Sequence, residues 1–100
     1  MIVAFSVAPM GAGDSVAEAV AAAVRVVRES GLANRTSSMF TEIEGEWDEV
    51  MDVVKRATAA VGAYGPRVSL VLKADIRPGH VGEIQGKVER VERALAAAAD

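Results

Sequence analysis

The stretch Arg67–Arg77, RVSLVLKADIR, alternates its side chains without a break. Val68, Leu70, Leu72, Ala74 and Ile76 share one parity, and Arg67, Ser69, Val71, Lys73, Asp75 and Arg77 share the other. Successive side chains of a strand point to opposite faces, so the pattern predicts a strand with one face in a core and one polar or partner-facing face. Immediately upstream, Gly62 and Gly65-Pro66 close a helix that begins after Gly45, with Val50, Val53, Val54, Ala57 and Val61 on its buried side. Glu46, Asp48 and Glu49 in its first turn, with Lys55 and Arg56 later, suit the helix dipole. Residues 35–45 are too short for a helix with caps. They predict a hairpin with a strand near Arg35–Ser37, a turn near Ser38-Met39 and a strand over Phe40–Glu44. Near the start, Ile2–Ala8 is apolar and β-branched and is stopped by Pro9 and Gly11, which predicts a strand buried on most of both faces. Ser15 and Glu18 have capping-box spacing and open a helix that runs to about Ser30. Its apolar stripe is Val16, Val20, Ala23, Val24 and Val27, and Gly31 takes the C′ position. Downstream of Arg77, Pro78-Gly79 turns the chain into a third helix, Val81–Ala98. There Val81, Ile84, Val88, Val91 and Leu95 form a narrow stripe like a helix–helix seam. Glu83/Lys87 and Glu89/Arg93 are i,i+4 pairs on its remaining surface.

The order is β-α-β-β-α-β and then α, in one domain over residues 1–100. It predicts an α+β fold: a ferredoxin-like βαββαβ sandwich with an antiparallel sheet and an extra C-terminal helix. Two helices cover one sheet face, and the polar side of Arg67–Arg77 lies on the other.

Composition narrows the function. The chain has 100 residues, 51% of them hydrophobic, yet 19 are Ala and 16 are Val, while Leu, Ile and Phe together number 10. Such side chains bury little area each, and burial is worth about 25 cal/mol per Å². Self-association, as a homodimer or homotetramer, is therefore expected to supply further burial. There is no Cys and one His, which argues against a thiolate nucleophile, a disulfide framework and a protein-ligated transition metal. A formal charge of −3 without clustered Lys and Arg argues against nucleic acid and anionic membranes as partners. No apolar run approaches the ~20 residues of a bilayer span. The expectation is a cytoplasmic protein.

Few residues offer chemistry. Gly11-Ala12-Gly13 lacks the third glycine of a dinucleotide loop, since position 16 is Val16, and reads as a flexible turn. His80 sits in a Pro-Gly turn with no Ser or carboxylate partner at readable spacing. Trp47 is expected to pack over the end of the sheet. Thr41 and Glu44 have opposite parity, so they cannot both point straight to one face unless the strand bends or ends there. Glu44 can accept hydrogen bonds from helix amides or from a ligand amino group. Lys73, Asp75 and Arg77 stand about 6.8 Å apart on one face, as an ion ladder or a polar ligand patch. No nucleophile is paired with a base, so binding is favoured over catalysis.

Four segments, SVAPMG (Ser6–Gly11), MFTEIEGEWDEV (Met39–Val50), VLKADIRPG (Val71–Gly79) and KVERVERAL (Lys87–Leu95), resemble in order and spacing the small thiamine-binding protein family, the single-domain YkoF-like proteins. The likeness spans about residues 2 to 95. It implies dimers or tetramers built through sheet faces and edges. It also implies non-catalytic binding of thiamine or its hydroxymethylpyrimidine moiety, with no other cofactor. The ligand-binding positions that it implies are Ser6, Thr41, Glu44, Lys73, Asp75 and Arg77. Phe5, Phe40 and Trp47 offer rings for stacking. The alternative is a regulatory or structural oligomerisation module that senses another small molecule.

Overall fold

The computed structural model describes residues 1–11, 13 and 16–98. Four strands and three helices follow the expected order: β1 (Ile2–Met10), α1 (Val16–Glu29), β2 (Ala33–Thr36), β3 (Thr41–Glu44), α2 (Trp47–Val61), β4 (Arg67–Asp75) and α3 (Glu83–Ala98). A single 3-10 turn, Gly62–Tyr64, ends α2. The strands form one sheet in the order β2-β3-β1-β4, every neighbouring pair antiparallel. This is the ferredoxin-like arrangement.

The alternation in β4 runs in the direction expected. Val68, Leu70, Leu72 and Ala74 stand opposite Pro9, Val7, Phe5 and Val3, the buried residues of β1. α1 and α2 cover this side of the sheet, and Val3, Phe5, Ile43, Val27, Val50 and Val61 are its largest fully buried side chains. Burial departs from the expectation at the edge. β4 has a neighbour on one side only, so Leu70 stays 42% exposed. Ile76 and Arg77 are not in the strand, because β1 begins at Ile2 opposite Asp75 and leaves them nothing to pair with. The buried line of α1 is Ala19, Ala23 and Val27, while Val16 and Val20 are exposed. Small residues allow the close approach of α1 to α2, and the valines one step round the helix are turned away. Ser15, the capping-box residue, and Ala12 of the glycine turn lie outside the described residues.

The hairpin differs by a few residues. Thr36 pairs with Thr41, so Ser37–Phe40 form a four-residue loop. Ser37 closes it: its backbone N–H donates to Phe40 O at 2.9 Å, its hydroxyl donates to the same carbonyl, and Oγ accepts from Phe40 N–H. A serine hydroxyl can stand in for a backbone group in a turn, and this one does so without glycine. At the other end of β3, Gly45 exchanges backbone hydrogen bonds with Met1, both 3.0 Å, which prolongs the β1–β3 ladder. A Cβ at Gly45 would come within 3.3 Å of Val50 and 3.4 Å of Leu32, so a side chain there would press α2 off the sheet.

α3 starts two residues later than its sequence pattern suggests. Gly82 has φ +71°, a conformation that ends any helix extending back to Val81. The first turn of α3 lies against the outer sheet face, while Val88, Val91 and Leu95 are 40–61% exposed. The seam expected of α3 therefore has no partner within the described chain.

Candidate functional site

One concave feature follows from a mismatch in strand lengths. β1 pairs with β4 from Ile2 to Met10 but with β3 only from Ile2 to Phe5. Beyond Phe5 the hairpin loop turns aside, and Ser6–Ala8 face a cleft where a strand neighbour would otherwise lie. The cleft has a volume of about 250 Å³ and is closed by α1 at Val16, Val20 and Val24 and by the loop at Ser37, Met39 and Phe40. Ser6, Thr36 and Thr41 add hydroxyl-bearing residues to a mainly apolar wall. No charged side chain lines it among the described residues. In a strand the N–H and C=O of one residue point the same way and alternate along the chain. The three residues Ser6–Ala8 therefore turn at least one donor and acceptor pair toward the cleft. Pro9, which lacks an N–H, is tolerated close by because that side of β1 carries no ladder.

A second group of residues gathers where α3 begins. Glu44 is 8% exposed, and its carboxylate accepts from Glu83 N–H at 2.9 and 3.0 Å and from Ile84 N–H at 3.3 Å. It caps α3 from the neighbouring strand, and its charge suits the positive end of that helix. Asp75 pairs with Lys87 of α3, and the ammonium's hydrogen bond and charge hold the Asp75 carboxyl below its ordinary range. Glu83 pairs with Arg90, whose hydrogen bond likewise depresses the Glu83 carboxyl and raises the Arg90 guanidinium. Arg35 of β2 donates to Gln85 Oε1 at 3.1 Å. His80 Nδ1 lies 3.8 Å from Glu83 Oε1 and is exposed.

The six residues singled out from sequence are thus divided. Ser6 and Thr41 share the cleft. Glu44, Asp75 and Arg77 meet near the base of α3, and Lys73 lies beside Asp75 on the outer sheet face. Strand parity already separated Thr41 from Glu44, and the pairing confirms it: Thr41 stands opposite Phe5 on the helix side, Glu44 opposite Ile2 on the outer side. The helix that Glu44 caps is α3, which starts 39 residues later, rather than the adjacent α2. The ion ladder is replaced by contacts to α3, because Lys87 reaches Asp75 and Arg77 is beyond the strand end. The Glu83/Lys87 pairing is replaced for the same reason, each residue having a partner elsewhere. Trp47 is 53% exposed in the first turn of α2 and does not cover the sheet end. Of the three stacking candidates, Phe5 is buried in the core and Phe40, 36% exposed, lines the cleft. Val16 and Val20 join the cleft unforeseen. Their signal was present in the rival Ala19–Ala23–Val27 line, which leaves them off the packed face.

Among the described residues no cluster of three or more His, Asp or Glu side chains is placed to hold a metal, and no helix is long and apolar enough to cross a membrane. The sequence profile of the family described as thiamine-binding protein matches residues 3–92. A UPF0045 protein of Mycobacterium bovis is 56% identical over 96 residues, covering 95% of this chain and 94% of that one. The crystal structure of a hypothetical protein from Methanocaldococcus jannaschii superposes with a TM-score of 0.82 at 31% identity, over 91% of this chain and 94% of that one. A Thermotoga maritima structure named for thiamine biosynthesis or salvage superposes with a TM-score of 0.79 at 26% identity, over 90% of this chain and 96% of that one.

Proposed function

The chain belongs to the thiamine-binding protein family, and from that premise we propose that it binds thiamine or its hydroxymethylpyrimidine moiety, without chemical conversion, in the cleft beside β1. One observation carries the assignment to this cleft: the free edge of Ser6–Ala8. An aminopyrimidine presents an amino donor next to a ring-nitrogen acceptor. A strand edge that has lost its neighbour presents the complementary carbonyl and N–H at matching spacing. The apolar wall and Phe40 receive the flat ring, and the hydroxyls of Thr36 and Thr41, paired on the helix side of the sheet, satisfy its remaining polar atoms. At about 250 Å³ the cleft is below the roughly 300 Å³ at which drug-sized sites begin. The pyrimidine enters and the thiazolium end extends outward past the exposed Met39. In this reading Glu44, Lys73, Asp75 and Arg77, which lie outside the cleft, do not touch the ligand, and no cofactor other than the ligand is needed. Calorimetric titration with thiamine and with hydroxymethylpyrimidine tests the proposal. Saturable heat with either supports it, and heats no larger than dilution for both, from protein shown to be folded, would sink it.

A second reading, an oligomerisation module of regulatory or structural role, is favoured by the shape of the chain. The exposed area is 6510 Å², against about 5,400 Å² expected for a compact chain of this mass. An excess of that order is comparable to the ≈ 800 Å² that each partner buries in a standard interface. Homodimers or homotetramers in the cytoplasm are part of the proposal, with the stripe Val88, Val91 and Leu95 as the contact. Sedimentation velocity separates the readings. An oligomer that persists while neither ligand binds favours the module.

A further inference from the structure

We propose that Met39 is a site of reversible oxidation, and that its oxidation weakens the hold of the cleft on its ligand. The proposal rests on the reading of the cleft beside β1 as the ligand site and adds the regulation of that site. The chain has four methionines, Met1, Met10, Met39 and Met51. Met39 is 74% exposed and Met10 45%, while Met1 and Met51 are half-buried. Of the two exposed methionines only Met39 lines the cleft. Access governs which thioether a peroxide reaches first.

The surroundings of Met39 make its polarity matter. Ser37 and Phe40 close the loop with three hydrogen bonds, none of which involves Met39, so a change in its side chain leaves the turn in place. Across the cleft, Val16 and Val20 of α1 present exposed apolar side chains. With Met39 and Phe40 they make an apolar lip. A flexible thioether suits such a lip, because it adapts to the ring that lies against it. A sulfoxide does not. Its S–O group holds water, and covering it with a thiazolium ring removes that water while the ring has no N–H to offer in return.

The step is an oxygen transfer from hydrogen peroxide. The Met39 sulfur attacks one peroxide oxygen, an S–O bond forms as the O–O bond breaks, and the other oxygen leaves as water with both protons. The sulfur is oxidised and the peroxide reduced. A sulfoxide reductase reverses the change, the oxygen leaving as water while a dithiol of the reductase becomes a disulfide.

In the test, the whole chain is treated with limiting hydrogen peroxide and mapped by peptide mass spectrometry. It is titrated calorimetrically with thiamine and with hydroxymethylpyrimidine before and after treatment. Met39 is expected to gain oxygen ahead of the other methionines. Thiamine binding is expected to weaken by about tenfold, and that of hydroxymethylpyrimidine, which ends short of Met39, by less than about twofold. Methionine sulfoxide reductases, one for each epimer, are expected to restore thiamine binding. Met39→Leu has no sulfur to oxidise there, so the same treatment is expected to leave its affinity, whatever the starting value, unmoved. Each of four results overturns the assignment while the reading of the cleft stands: another methionine oxidised first, unchanged thiamine binding, an equal loss for the two ligands, or the same loss in Met39→Leu. Binding of hydroxymethylpyrimidine alone, or loss of the circular dichroism of the fold on treatment, also overturns it. Untreated, folded protein that binds neither ligand sinks the reading of the cleft and the assignment with it.

Discussion

Glu44 and Thr41 are three residues apart in a four-residue strand, and the pleat sends them to different tasks. Glu44 accepts hydrogen bonds from two α3 amides at a nearly buried position. Removing it leaves those donors without an acceptor. Glu44→Ala is therefore expected to cost about 1–3 kcal/mol, read as faster amide exchange at Glu83 and Ile84 while Val3 and Ile43 stay protected. Thr41, 9% exposed, places its hydroxyl beside the cleft. Thr41→Val keeps the volume and removes the hydroxyl. Calorimetry is expected to show roughly three- to tenfold weaker binding of the pyrimidine ligand, the size of one hydrogen bond, with an unchanged unfolding midpoint. The opposed directions of these two residues were legible in the sequence, because parity within a strand is a local property. That Glu44 serves a helix beginning at Glu83 was not legible, because the contact is set by where a distant segment crosses the sheet.

At the scale of elements, β1 organises the molecule. Its odd residues Val3, Phe5 and Val7 enter the core, and its unequal pairing with β3 and β4 opens the cleft. Phe5 is 2% exposed at the point where β3 ends, so Phe5→Ala is expected to cost about 3–5 kcal/mol in chemical denaturation. The attachment of α3 is electrostatic where that of α1 and α2 is apolar. Asp75 and Glu83 have folded-state carboxyls depressed by Lys87 and Arg90. A depressed carboxyl contributes stability that is present above its unfolded value, about 3.9 for Asp and 4.3 for Glu, and is lost as pH falls through the lower folded-state value. Acidification below about pH 4 is thus expected to free the α3 base before the core unfolds. Far-ultraviolet circular dichroism followed alongside exchange of the core amides would show the two events in that order. The helices and strands themselves were readable because periodicities of 2 and 3.6 survive in the residue pattern. The ends of the elements were less so: β4 stops where β1 runs out of residues, and α3 starts where Gly82 adopts positive φ.

The whole molecule is longer than a compact chain of its size. Its radius of gyration is 15.4 Å, against about 13 Å for 100 residues, and its extents are 52 × 29 × 19 Å. α3 accounts for this shape, since it touches the sheet only with its first residues, as far as Lys87, and leaves Val88, Val91 and Leu95 exposed. Val91→Asp with Leu95→Asp is expected to leave the unfolding transition of the single chain nearly unchanged, and to shift the sedimentation coefficient toward that of a monomer. An unaltered coefficient for an associated protein would place the contact elsewhere. The order of elements, the antiparallel ferredoxin-like arrangement, the two faces of β4 and the family are all legible in the linear chain. These follow from local periodicity, from turn residues such as Gly31 and Pro78-Gly79, and from motifs that survive in linear order. It took the folded chain to show that Ser6 and Thr41 line one cleft, while Glu44, Asp75 and Arg77 gather at the base of α3. That division depends on which strands run out of partners and on where α3 crosses the outer face, and both are contacts between segments far apart in the chain.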